Sequence, residues 1–200
     1  MTPPLLILVI GYPGAGKTFF SRQLAEQYNL PRISEDAIRF ELFEKPQFNA
    51  QEADIISRVQ DITLQEVLKT ERTVIVEGTN LRTSERNHIY SLAQSNGYRT
   101  ITVWLQTDLQ TSAFRAKKRD RRNPDSKYAF AIDMPTFEKF RSSLQRPSDK
   151  ENFVVISGKH AYQSQSLTLL KKITTMYSEQ LTKNIATPRT VGTRNNKLVQ

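Results

Sequence analysis

Eight residues near the N-terminus, Gly11-Tyr12-Pro13-Gly14-Ala15-Gly16-Lys17-Thr18, satisfy the pattern G-x-x-x-x-G-K-[ST]. Glycines at these places let a loop turn successive backbone N–H groups inward around the oxygens of a phosphate chain. A helix starting where the loop ends adds the partial positive charge of its N-terminus. Lys17 is spaced to bridge the β- and γ-phosphates of a nucleotide, and the Thr18 hydroxyl to ligate Mg2+. Gly11, Pro13, Gly14, Ala15, Gly16, Lys17, Thr18 and the following Phe19 are therefore the expected nucleotide-binding residues. ATP and Mg2+ are the expected cofactors.

Three further groups have chemistry that a bound triphosphate could use. Asp36 and Arg39 stand at i and i+3 on one face of an expected helix. The carboxylate could accept the proton of an acceptor hydroxyl as a general base, with Arg39 steadying the acceptor or the phosphoryl group. The same spacing also describes a plain surface ion pair. Glu77 ends a β-strand pattern, where an acid could bind a water on the metal or simply cap a nearby helix. Arg115, Arg119 and Arg122 fall at i, i+4 and i+7 on one expected helix face. They could neutralise charge on a transferring group, or form a solvated basic face.

These side chains need a frame that brings distant segments to one edge. The apolar run Leu5–Ile10, followed at once by Gly11, reads as a buried parallel strand. Further strands are expected at Arg32–Ser34, Thr73–Glu77, Thr100–Leu105 and Phe153–Ser157. Helical patterns lie between and after them: Thr18–Tyr28, Asp36–Phe43, Ile55–Leu68, Ser84–Gln94, Asp108–Arg122, Pro135–Leu144 and Leu167–Leu181. In the third of these, Ile55, Val59 and Ile62 form the expected core stripe. Alternation of strand and helix predicts an α/β fold, a parallel sheet covered on both faces. In such a sheet, functional groups gather at the carboxyl ends of the strands.

Composition narrows the class. The chain has 200 residues, no cysteine and a formal charge of +9. Disulfides and thiolate metal sites are excluded, and a cytoplasmic location is expected. No apolar run approaches the length of a membrane span, so no membrane association is expected. Residues 1–114 and 129–182 nearly cancel in charge, and the excess lies in Arg115–Tyr128 and in residues 183–200. One domain is expected over 1–182, followed by a basic, disordered tail at 183–200. His88 and His160 lack acidic or cysteine company and are assigned no metal. A GTPase would need Asn-Lys-x-Asp; the sole Asn-Lys, at Asn196-Lys197, is followed by Leu198-Val199. A mechanical ATPase would need an acidic pair ending the third strand, where Glu77 stands alone. A small phosphotransferase remains.

In this order and spacing, GYPGAGKT, ISEDAIR, VIVEGTNL and FRAKKR resemble the zeta-toxin and polynucleotide-kinase branch of P-loop kinases, a group of AAA-family ATP-binding proteins. The resemblance implies a P-loop NTPase three-layer sandwich with strand order 2-3-1-4-5. It implies Lys17 and Thr18 on ATP–Mg2+, Asp36 as general base and Arg39 as the acceptor-site cation. It places Arg115 and Arg119 on a mobile lid spanning about 108–145, and Asn80 and Arg86 near the acceptor cleft. The expected reaction is transfer of the γ-phosphoryl group of ATP to a hydroxyl, either a polynucleotide 5′ end or a small metabolite. The alternative is an ATP-gated module holding RNA through the basic lid and tail without modifying it; Tyr128 and Phe130 beside the basic run are its aromatic support, and RNA or DNA contact through lid and tail is an expected partnership in either case.

Overall fold

The computed structural model describes residues 2–78, 80–119, 128 and 131–186. Five strands, β1 (Leu5–Ile10), β2 (Arg32–Ser34), β3 (Val74–Glu77), β4 (Arg99–Gln106) and β5 (Phe153–Ser157), form one parallel sheet in the order 2-3-1-4-5. This is the three-layer α/β arrangement expected. All six residues of β1 are buried because the strand is central, between β3 and β4. Such a strand has no solvent face and needs no alternation.

The helices are α1 (Lys17–Tyr28), α2 (Glu35–Leu42), α3 (Ala50–Leu68), α4 (Thr83–Ser95), α5 (Leu109–Lys117), α6 (Met134–Ser143) and α7 (Tyr162–Ala186). Pleating divides the sheet residues between two cores. Leu5, Ile7, Val9, Ile101, Val103 and Leu105 pack with Phe20 and Leu24 of α1 and Leu169 and Met176 of α7. Leu6, Leu8, Ile10, Val74 and Val76 pack with Leu64 and Leu68 of α3 and Ile89 and Ala93 of α4. The first residues are tied to the last helix: the Tyr177 hydroxyl donates to the Pro3 carbonyl at 2.8 Å, and Arg99 stacks on the Tyr177 ring. Among the described residues, no helix is long and apolar enough to cross a membrane.

Three expectations are corrected. The core stripe of α3 is Ile56, Gln60, Leu64 and Leu68, whereas Ile55 and Ile62 are 45% and 62% exposed. The helix begins at Ala50, capped by the Asn49 side chain, and this start fixes which stripe meets the sheet. Helix α5 is capped by Asp108 as its sequence suggests, but ends at Lys117, so Arg119 is not on its face; Arg122 lies outside the described residues. Helix α7 runs to Ala186, four residues into the segment expected to be a disordered tail; 187–200 lie outside the described residues.

Candidate functional site

Side chains cap α2, α3, α5 and α6 at Ser34, Asn49, Asp108 and Asp133. Helix α1 instead starts on Gly16, which has no side chain to cap its first-turn N–H groups. Those donors face the cleft that the phosphate-binding pattern predicts, the arrangement that suits an anion. Gly14 has φ 80, and a Cβ there would run into the Ser112 carbonyl of α5. Gly158, just beyond β5, comes equally close to the Ala15 carbonyl and the Thr107 hydroxyl. These approaches seat the loop between β1, α5 and the β5–α7 connection. The Lys17 ammonium donates to the carbonyls of Gly11 at 2.9 Å and Tyr12 at 3.3 Å, which holds it over the ring of the loop.

A cleft of about 690 Å³ opens over this loop. Pro13, Gly14, Gly16, Lys17, Thr18, Phe19, Asp36, Glu77, Arg115 and Arg119, all expected site residues, line it. Burial lowers the pKa of Lys17, with Arg119 acting the same way and Asp36 and Glu77 opposing. Burial raises Asp36 to about 6, helped by Glu35 and Glu77 and opposed by Lys17 and Arg119. Asp36 is exposed to solvent along the cleft, so water tempers that shift. Arg119 faces both acids, and its Nε, buried, has no hydrogen-bond partner among the described residues.

Glu77 is a hub. Its two oxygens accept from the Thr18 hydroxyl, the Ser21 hydroxyl and Arg32, the last at 2.6 Å. A carboxylate has about four lone-pair sites, so three donors leave one. With its proton directed to Glu77, the Thr18 oxygen keeps lone pairs for a cation. Among the described residues, no group of three or more His, Cys, Asp or Glu could hold a metal by itself. A magnesium ion shared with phosphate oxygens needs no such cage. The residues therefore fit a polyphosphate and an accompanying divalent cation.

Other expected residues stand apart. Gly11 and Ala15 lie beneath the loop, their surfaces buried. Asn80 is buried, with φ 36 and an Nδ2 that has no partner among the described residues. Arg86, expected near the acceptor, has no exposed surface: it pairs with Glu151 at 2.8 and 3.0 Å and donates to the Leu81 carbonyl at 3.0 Å. Arg39 is buried too, does not line the cleft, and pairs with Glu35 and Glu52. In this structure both arginines, expected at the acceptor, are engaged in buried ion pairs. Sequence reading missed Ser34, Phe114, Lys118, Ile132, Phe140 and the run Gly158-Lys159-His160 on the cleft wall. The signal for the last was the strand end at Ser157, since strand termini on this edge face the phosphate loop.

The sequence model of a known family, described as an AAA domain, matches residues 6–147. The chain belongs to the AAA domain family. This AAA domain is 24% identical over 137 residues to a cytidylate kinase of Methanocaldococcus jannaschii, the match covering 68% of this chain and 76% of that protein. Its fold is similar to that of a gluconokinase from Sinorhizobium meliloti, with a TM-score of 0.64 at 15% identity over 92% of this chain and 99% of the other. It is also similar to a chain of the Pnkp1/Rnl/Hen1 RNA repair complex, with a TM-score of 0.61 at 19% identity over 72% of this chain and 45% of that one. At these identities the solved structures show that the AAA domain shares a P-loop fold with kinases.

Proposed function

We propose that this chain is an ATP-dependent phosphotransferase that moves the γ-phosphoryl group of ATP to a hydroxyl acceptor, with residues 1–182 as one catalytic unit and about 108–145 as its lid. One observation carries the reading. Asp36, a carboxyl whose pKa is raised to about 6, shares one cleft with Lys17 and an uncapped helix start. In the family pattern, these groups serve the proton acceptor, the phosphate cation and the anion cradle.

The chain's own residues divide the work. The loop and the first turn of α1 bind the phosphates, and Lys17 and Arg119 balance their charge. Thr18, oriented by Glu77, would hold Mg2+, which when bound draws negative charge from the phosphate oxygens. Asp36 takes the acceptor proton as the new bond to phosphorus forms, a role for which its ionised form is needed. Arg115, whose NH1 reaches the Gly158 carbonyl at 3.2 Å, closes the wall beside the nucleotide. Enclosure there excludes water and restrains hydrolysis.

The acceptor class is read as a polynucleotide 5′-hydroxyl or a small metabolite alcohol, by resemblance to the zeta-toxin and polynucleotide-kinase branch. The test is transfer from γ-labelled ATP with Mg2+ across oligonucleotides, nucleosides, nucleotides and sugar alcohols. Label on one acceptor class supports the reading; tight RNA binding with no label on any acceptor replaces it with the binding module.

A further inference from the structure

The Arg39 guanidinium is buried, with NH1 3.2 Å from Glu52 Oε2 and NH2 3.3 Å from Glu35 Oε1. It also lies 4.9 Å from the centroid of the Phe48 ring. None of Glu35, Arg39, Phe48 and Glu52 lines the cleft. Glu52 does more than meet one cation. Its oxygens accept the backbone N–H groups of Gln47 at 2.5 Å and Phe48 at 2.7 Å, and its own N–H donates to the capping Asn49 Oδ1 at 2.9 Å. Burial alone would raise Glu52, but these N–H groups and Arg39 hold its pKa below the usual carboxylate value. Phe48 has φ 55, a left-handed conformation that a bulky residue adopts where its surroundings impose it. The connection between α2 and α3 is thus folded around one carboxylate, and Arg39 fastens α2 to it.

The other end of α2 is held as well. Glu35 packs over Gly78 at the end of β3, where a Cβ would stand 2.8 Å from Glu35 Oε2. Helix α2 has only eight residues, too few to persist by itself in water. Asp36 is its second residue, so the contacts that dock α2 decide where that carboxylate stands.

We infer that Arg39 is a positioning residue rather than an acceptor ligand: with Glu35 and Glu52 it clamps α2 and so holds Asp36 in the cleft. This rests on the phosphotransferase reading of the cleft. The charged groups that face Asp36 are Glu35 on its own helix, Lys17 of α1, Glu77 of β3 and Arg119 beyond α5. Glu52 acts on Asp36 through Arg39 and the helix. A displacement of about 1 Å at a reacting group is enough to lower a rate by about a hundredfold.

The experiment uses the full chain with Glu52→Gln, Arg39→Gln, Arg39→Lys and the double variant Arg39→Gln with Glu52→Gln, each checked for folding by thermal melting. Acceptor KM and kcat are measured separately, and the Asp36 carboxyl is titrated by NMR in ligand-free protein. Glu52→Gln and Arg39→Gln are each expected to lower kcat about tenfold or more, with acceptor KM within about twofold. The double variant should be no worse than the worse single one, because both remove the same clamp. Arg39→Lys, which keeps the charge but not the fork, should recover part of the loss. In Glu52→Gln the Asp36 midpoint should fall from about 6 toward the ordinary carboxylate range as α2 loosens.

An Arg39→Gln variant with acceptor KM raised about tenfold, beside a Glu52→Gln variant like wild type, would make Arg39 an acceptor ligand and overturn the inference. An unchanged kcat and midpoint in Glu52→Gln would overturn it too. If the wild-type chain transfers phosphate to no acceptor, the phosphotransferase reading fails separately, and the Asp36 midpoint still decides whether the clamp exists. Should Glu52→Gln not fold, Arg39→Lys supplies the same two readouts.

Discussion

The two walls of the cleft, the phosphate loop and the wall that carries Asp36, are built by different means. On the phosphate side, residues 11–18 are contiguous, and the backbone supplies the binding surface. On the other wall, Asp36 stands on a short helix held by Glu35, Arg39 and Glu52, and the neighbouring loop is anchored by Arg86 and Glu151 across 65 residues of sequence. A surface made of backbone depends on a few residues with no side-chain alternative. A surface made of buried ion pairs depends on partners that are jointly replaceable but individually indispensable, because removing one strands the other's charge.

The largest break in this comparison is on the phosphate side. Lys17→Ala should lower phosphate transfer about a thousandfold or more while the protein stays folded, read as kcat/KM beside a thermal melt. Next comes Asp36→Asn, expected to lower transfer about a hundredfold to ten-thousandfold with nucleotide affinity little changed by calorimetry. In the wild type, transfer should decline as pH falls through about 6, because protonated Asp36 cannot accept the acceptor's proton. Stability runs the other way. The folded chain keeps that proton to higher pH than the unfolded chain, whose value is near 3.8, so this contribution is present at low pH and lost as pH rises through about 6.

The Arg86–Glu151 pair beside the Asp36 wall is expected to act on the fold. Glu151→Ala leaves Arg86, with no exposed surface, without its counter-charge, and should cost about 3–5 kcal/mol in denaturant unfolding. Replacing both partners by apolar residues should cost less, which would sharpen the distinction between a necessary charge and a matched pair. The smallest contrast tests α3. Ile56→Ala, at 1% exposure, should cost about 2–4 kcal/mol, and Ile62→Ala, at 62% exposure, within about 0.5 kcal/mol.

Legibility in the sequence follows the same division. The phosphate loop was readable because its chemistry is local and its glycines and lysine have few substitutes. The five strands and their alternation with helices were readable because a doubly covered sheet leaves uninterrupted apolar runs. The ion pairs of Arg39 and Arg86 were not legible because a sequence shows a cation's spacing and not the carboxylate it meets: Glu52 is 13 residues from Arg39, and Glu151 is 65 from Arg86. The stripe of α3 was misassigned because Ile55 and Ile56 are adjacent. Both belong to apolar patterns of helical period, and only the docking of the helix against β2 and α2 selects one.

The centrality of β1 has a consequence for synthesis. Residues 5–10 leave the ribosome well before their sheet partners, β3, which ends at Glu77, and β4, which ends at Gln106. At about 5–20 residues per second, the most apolar strand waits on the order of 5–20 s for its second neighbour. The Gly14 turn waits longer, because Ser112, against which it packs, is made after β4. The nucleotide loop is therefore written long before the segments it packs against, and nascent chains ending before residue 106 should expose Leu5–Ile10 to protease or chaperone.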